Sequence, residues 1–399
     1  MANKSWVVVS LVLCVAVAVV SSSDPGAPLI FVLGDSTADV GTNNFLPTST
    51  ARANFPHNGI DFPSSKPTGR FSNGLNSADF LAQILGLRRS PPPFLSLKAK
   101  SLRKKRFSGV NFASGGSGLL DITGKTSVRY SENCYLHKQE MLEKKHFFPV
   151  FSFFLFQLSL MKFGTPEKTP LAAPSVNQKN VVSLTEQIQQ FATVKRNLTA
   201  IKGGRRVTKK SLFFISIGSN DLFEYYHSNS SIPKEEFLTS LLLAYENHLK
   251  RGSLASLALP IGCCPSQRIH NTTSGCLEDL NDLAVAFHAR LDALMFKMSS
   301  ECKDIKYALG NAFEMTINVI QNPLPYNFTQ VEAACCGAGK LNGESFCSPY
   351  ANLCLNRDNY LFWDLYHPTQ AASKLAAVTL FNGGPQFVTP INFARLAMA

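Results

Sequence analysis

Several signatures are missing from this chain of 399 residues. There is no G-x-G-x-x-G and no G-x-x-x-x-G-K-[ST], so nothing supports nucleotide binding. No C-x-x-C pair and no Cys/His spacing suggests zinc. The absence of a G-x-S-x-G elbow argues against an ordinary α/β-hydrolase. No apolar run reaches the roughly 20 residues that a membrane span needs. Acidic residues are few, 27 against 39 Lys and Arg, for a formal net charge of +12. Part of that excess sits in two runs, Arg103–Arg106 and Arg205, Arg206, Lys209 and Lys210. Neither is interleaved with aromatics as a nucleic-acid platform would be, so both read as solvated loops and no nucleic-acid partner is expected. With 17% charged and 45% hydrophobic residues, the composition is that of a globular chain.

What is present begins at the N-terminus. Lys4 precedes an apolar run from Trp6 to Val20, followed by Ser21, Ser22 and Ser23. That order reads as a secretory signal peptide over 1–23, cleaved near Ser23, with an extracellular product and no transmembrane segment after cleavage. In a secreted chain the eight cysteines Cys263, Cys264, Cys276, Cys302, Cys335, Cys336, Cys347 and Cys354 suggest disulfides of undetermined connectivity. Cys14 leaves with the signal, and Cys134 lies in an atypical stretch. Four N-x-S/T sequons, at Asn197, Asn229, Asn271 and Asn327, are glycosylation candidates expected on exposed loops.

From residue 24 onward, short apolar runs alternate with helical patterns. Leu29–Leu33, Val110–Phe112, Leu212–Ile217, Ser253–Leu259 and Ile305–Leu309 each run into Gly, Pro or a Gly-containing turn, as buried parallel strands do. Ser183-Leu-Thr-Glu186 is a capping box opening a helix through Phe191. Leu280, Leu283, Phe287, Leu291, Leu294 and Met298 share one helical face and read as core. Thr369 caps a last helix through Leu380. The alternation implies an α/β fold with ligands at the carboxyl ends of the strands.

Those ends carry chemistry. The first leads into Gly34-Asp35-Ser36-Thr37, the second into Gly115-Gly116, the third into Gly218-Ser219-Asn220-Asp221, and Asp364-Leu-Tyr-His367 stands near the C-terminus. Acyl transfer needs a nucleophile, a base, a group orienting the base, and donors for the oxyanion. Ser36 is the candidate nucleophile, His367 the base and Asp364 its orienting carboxylate. The N–H groups of Ser36 and Gly116 and the Asn220 amide are candidate oxyanion donors. Alone, each is more often something blander: an N-cap, a hydrogen-bonded loop pair, a turn. Together, in order at proposed strand ends, they are far more specific.

These segments resemble a plant GDSL-type esterase/lipase of the SGNH hydrolase superfamily. The matching blocks are 31–41, 69–74, 109–118, 217–221 and 364–369. The resemblance implies an α/β/α sandwich on a parallel sheet of about five strands. It also implies a monomer working without metal or cofactor on acyl esters, small or polymer-linked. It assigns Ser36, Asp364 and His367 to the triad, and Gly116 and Asn220 to the oxyanion hole. Thr37 replaces the Leu of the name-giving motif, for which a packing adjustment is expected. The stretch from His248 to Pro260 is shorter than the family pattern and loses the start of the fourth strand. An extra segment at 126–178 interrupts the domain of 24–399 and contains the Phe-rich run 147–156. It reads either as a retained intron or as a membrane-touching lid, and the lack of any polar helical face favours the former. An acyltransferase using the same triad and a non-catalytic polymer- or lipid-binding protein are the competing functions.

Overall fold

The computed structural model describes residues 29–98, 107–125, 180–200, 211–228, 230–249, 257–258, 261–302 and 305–398. The segment 1–23, both basic runs, Cys134, the segment 126–178 and the Asn229 sequon lie outside the described residues.

β1 (Ile30–Gly34) is buried throughout and lies between β2 (Gly109–Asn111) and β3 (Leu212–Ser216), parallel to both. Successive strand side chains point to opposite faces. Phe31 and Leu33 accordingly enter one hydrophobic core while Ile30 and Val32 enter another. A strand with two apolar faces must be covered on both sides, and helices do this.

On one side lie α2 (Leu184–Thr199), α4 (Lys234–Leu249) and α5 (Glu278–Glu301), contributing among others Phe191, Leu238 and Leu291. On the other lie α1 (Ser77–Ile84), α6 (Ala312–Gln321) and α7 (Gln370–Asn382), through Leu81, Met315 and Leu380. The remaining long element, α3 (Ser219–His227), follows β3 directly. The result is the expected three-layer α/β fold.

The expected N-caps at Ser183 and Thr369 are both present. Ser183 Oγ accepts from Glu186 N at 3.4 Å, and α2 runs beyond Phe191 to Thr199 because Val194 and Leu198 continue its buried stripe. Thr369 Oγ1 accepts from Ala372 N and caps α7. The stripe on α5 is buried except that Met295 is more deeply placed than its neighbour Leu294.

Two strands differ from the sequence reading. β5 is Leu309–Asn311, so Gly310 lies inside the strand rather than ending it. Of the fourth run, Leu257–Ala258 forms β4, parallel to β5. Among the described residues β3 and β4 share no ladder, so the parallel sheet is hydrogen-bonded as two sections, β2-β1-β3 and β5-β4. Beyond them, β6 (Gln330–Ala334) pairs with β9 (Tyr360–Phe362), and β7 (Cys336–Gly337) with β8 (Asn352–Leu353). β10 (Val388–Thr389) closes the second section antiparallel to β5.

Six of the eight cysteines are paired, Cys263–Cys276, Cys335–Cys354 and Cys336–Cys347. Cys264 and Cys302 are free, the first buried and the second exposed. The described sequons sit in different settings. Asn197 is exposed on α2 rather than on a loop, and Asn327 lies in an exposed turn. Asn271 is half-buried, its amide donating to the Cys276 carbonyl.

Candidate active site

The carboxyl ends of β1, β2 and β3 bring three of the sequence blocks to one edge of the sheet. β1 hands over to a tight turn in which Asp39 N donates to the Asp35 carbonyl. Ser36 therefore stands in a turn, not at a helix N-cap, and is half-exposed. The loop of β9 and α7 brings the fourth block to it. Ser36 Oγ lies 2.7 Å from His367 Nε2, across a sequence separation of 331 residues. His367 Nδ1 lies 2.8 and 2.9 Å from the two carboxylate oxygens of Asp364. Asp364 is fixed in turn by the backbone N–H groups of Tyr366 and His367, at 3.0 and 2.9 Å. Both His367 and Asp364 are buried, and the Phe71 ring packs 4.9 Å from the imidazole.

Gly116 and Asn220 line the same cavity as Ser36. Gly116 has φ +84°, in the left-handed region, which is a stronger reason for glycine than closeness to a ligand. Asn220 stands in the first turn of α3, and its amide donates to the Ser117 carbonyl at 2.8 Å, which ties the third block to the second. All five residues singled out from the sequence thus converge.

The residues that hold them there were less visible. Asp39 accepts from the N–H groups of Gly41, Thr42 and Gly115. Asn43 donates to the Gly115 carbonyl at 2.8 Å and accepts from Ser114 Oγ at 2.6 Å. Gly115 is held from both its polar groups, so the peptide leading to Gly116 cannot rotate freely. Asp221 accepts from Leu119 N, Leu120 N and Thr123 Oγ1, at 2.8, 3.0 and 2.7 Å, and so fastens the loop after Gly116 to the helix bearing Asn220. Burial pushes the carboxyls of Asp39 and Asp221 up to about 6, against the lowering effect of these hydrogen bonds.

The block 69–74 has a structural part. Arg70 forms a buried bidentate pair with Asp79, at 2.6 and 2.8 Å, and Asn73 accepts from Gln370 N at the start of α7. Only long-range hydrogen bonding reveals these roles. The one local clue was the recurrence of Asp and Asn beside glycines in the motif blocks.

Thr37 is more than a packing change. Its hydroxyl donates to Asp35 Oδ1 at 2.7 Å and lies 2.7 Å from Ser216 Oγ. The Asp35 carboxyl is pushed up to about 6, chiefly by burial, while the Thr37 hydrogen bonds and the nearby His367 work against that rise. His227 also lines the cavity; the pKa of its imidazole is shifted down, first by burial, and its Nε2 lies 2.9 Å from Gln267 Oε1.

A serine hydroxyl hydrogen-bonded to a buried imidazole–carboxylate pair and opening on a cavity has the geometry that nucleophilic acyl transfer requires. Comparison with known proteins supplies the family. The family described as GDSL-like Lipase/Acylhydrolase matches residues 30–379. The chain belongs to that family and is a GDSL hydrolase. It is similar to a GDSL esterase/lipase of Arabidopsis thaliana, 33% identical over 92% of this chain and 89% of the relative. Two further GDSL esterase/lipases of that plant are 31% and 30% identical, over 92% and 93% of this chain and 90% and 89% of their own lengths.

Proposed function

We propose that this chain is a secreted serine ester hydrolase acting through an acyl-enzyme on Ser36. The observation that carries the reading is the 2.7 Å approach of Ser36 Oγ to an imidazole whose other nitrogen faces Asp364. In the first half-reaction the Ser36 hydroxyl proton passes to His367 Nε2 as Oγ bonds to the ester carbonyl carbon. Asp364 accepts from Nδ1–H and favours the imidazolium that forms. Charge develops on the carbonyl oxygen, facing the N–H groups of Ser36 and Gly116 and the Asn220 amide. Collapse breaks the bond to the alcohol oxygen, which takes the proton from Nε2 and leaves. A water then repeats the sequence on the acyl-Ser36 ester, with His367 as base, releasing the acid.

Three disulfides are at home in an oxidising compartment and, with the N-terminal pattern, support secretion. Among the described residues no helix is long and apolar enough to cross a membrane. The working unit in this reading is one monomeric domain over 24–399, interrupted at about 126–178, needing no cofactor. Its glycosylation candidates are Asn197, Asn229, Asn271 and Asn327.

Ser36→Ala tests the mechanism. Ester hydrolysis and labelling by a fluorophosphonate should both vanish while secretion and folding persist. His367→Ala should match it, and the double variant should be little worse, because groups acting as a unit are non-additive. Retention of most activity by Ser36→Ala refutes the assignment.

A further inference from the structure

Ser36 is flanked by two polar residues that the hydrolytic steps leave unused, Asp35 and Thr37, and both line the same cavity of about 650 Å³. β1 and β3 end side by side, with Gly34 in register with Ser216, and Asp35 N donates to the Ser216 carbonyl at 2.9 Å. Ser216, a third lining residue, is thereby held against the nucleophile turn. Thr37 directs both of its donors at one atom. Its N–H and its hydroxyl donate to Asp35 Oδ1, at 2.9 and 2.7 Å. With that proton committed, the 2.7 Å contact between Thr37 Oγ1 and Ser216 Oγ needs the Ser216 proton. The group therefore has no hydroxyl proton left to offer, but it has acceptor capacity. Ser216 Oγ keeps both lone pairs and Thr37 Oγ1 keeps one. Asp35 Oδ2 takes a hydrogen bond from no other described residue, although Asp35 is only 1% exposed. Arg52, the only Lys or Arg among the described lining residues, donates instead to the carbonyls of Leu46, Pro47 and Ser49.

We propose that Asp35 Oδ2, Thr37 Oγ1 and Ser216 Oγ form a hydroxyl-recognition site, selecting esters that carry a free hydroxyl a few bonds from the scissile carbonyl. The position follows from the chain. Adjacent Cα atoms are about 3.8 Å apart, so groups flanking Ser36 meet atoms close to the carbonyl it attacks. The chemistry follows from the three oxygens. Acceptors alone repel a carboxylate or an ether oxygen, and an alkyl group would cover Oδ2 while leaving it unpaired. An ammonium could donate, but stripping its water costs far more than stripping that of a neutral hydroxyl. A hydroxyl gives its one proton to a carboxylate, the strongest acceptor present. Leu at position 37 would delete one of the three oxygens and the bridge to Ser216, so the site is a property of this chain's departure from the name-giving motif. The hydroxyl can stand on the acyl side, as in a 2- or 3-hydroxyacyl ester, or on the alcohol side, as in the monoester of a diol. The site rests on the hydrolase reading for its effect on a reaction, but not for its ability to bind.

Two ester series separate the sources. Ethyl 2-hydroxybutyrate and ethyl 3-hydroxybutyrate, against ethyl butyrate, probe the acyl side. 2-Hydroxyethyl butyrate and 2,3-dihydroxypropyl butyrate, against propyl butyrate, probe the alcohol side. Methyl ethers of the four hydroxy esters keep the inductive effect on the carbonyl and remove the donor. At about pH 8 the Asp35 carboxyl, which burial raises to about 6, is ionised. There, in one series, kcat/KM should be at least about tenfold higher for a hydroxy ester than for its deoxy and methyl-ether counterparts. Thr37→Val and Ser216→Ala each remove one oxygen, so a folding failure in one leaves the other. Each should lower that ratio by about threefold or more, with melting still cooperative. Thr37→Ser, which keeps the oxygen, should retain it. Calorimetry on the Ser36→Ala protein reads the site without turnover, and a hydroxy ester should bind at least about tenfold more tightly than its deoxy counterpart. If esters are hydrolysed without the preference, if none appears in binding, or if neither removal lowers it, the site is overturned. If Ser36→Ala prefers a hydroxy ester but the native protein hydrolyses none and Ser36 resists the fluorophosphonate, the hydrolase reading fails and the site stands.

Discussion

Replacing Thr37 with Leu restores the residue of the family's name-giving motif, and its cost is expected to depend on pH. An ionised Asp35 carboxylate can only accept, so the Thr37 hydroxyl proton points to it and Ser216 must donate to Thr37 Oγ1. A hydrogen bond to a charged group contributes about 1.5–3 kcal/mol, against about 0.5–1.5 for a neutral one. Asp35 is fully buried, so solvent screening does not reduce the difference. Its carboxyl titrates at about 6 in the folded protein, above the ordinary 3.8. A raised carboxyl means that the folded protein binds the extra proton, so this group favours folding most at low pH, and the benefit is lost as pH rises through about 6. Above that value the Thr37 hydroxyl lessens the penalty of burying the charge; below it the hydroxyl faces a neutral acid. Leu adds apolar burial at a half-buried position, on the order of 1 kcal/mol, at either pH. The two effects nearly cancel at about pH 5, whereas at about pH 8 Thr37→Leu should be less stable by about 0.5–2 kcal/mol. Urea melts of the wild type, Thr37→Leu and Thr37→Ser at both pH values measure this, and Thr37→Ser, which keeps the hydroxyl, should show no pH-dependent gap. A Thr37→Leu penalty equal at the two pH values, or larger at the lower one, refutes the argument.

Asn220→Ala should lower kcat by about 10²–10³-fold, the usual effect of removing one oxyanion donor, and a change confined to KM would reduce Asn220 to a binding role. Native thiol labelling followed by peptide mapping should find Cys302 reactive and Cys264 silent until the chain is unfolded. Burial, aided by the neighbouring Asp364 charge, pushes the Cys264 thiol up to about 12, so equal labelling of the two, or any labelling of the six paired cysteines, contradicts the structure. Deleting 126–178 should preserve activity on short esters and raise soluble yield. The chain on either side of that segment already meets, since a Cβ on Gly124 would lie 3.1 Å from Val181 Cγ1. Loss of activity on deletion would favour a lid role for the segment.

Much of this protein was written locally. The continuous apolar run of Ile30–Gly34, the helical stripe of Leu280 to Met298 and the caps at Ser183 and Thr369 are short-range patterns, and the linear sequence expresses them fully. Asp364 and His367 are three residues apart, so their pairing was legible within one loop. The approach of Ser36 to His367 could be inferred only because the motif blocks fall at strand ends of an α/β sheet. Tertiary structure alone decided the rest. It chose three disulfides and left Cys264 and Cys302 free, because pairing depends on which Cβ atoms meet and not on cysteine number. It ran β5 through Gly310, where its partner strands stand, although a glycine reads as a stop in the sequence. It turned Thr37 from a packing substitute into a hydrogen-bond bridge, since its partner Ser216 is 179 residues away. It set Asp39, Asn43 and Asp221 as clamps on the Gly115–Thr123 loop and left a cavity open beside Ser36. A buried polar group and a void are both defined by neighbours distant in sequence, and no periodicity along the chain encodes them.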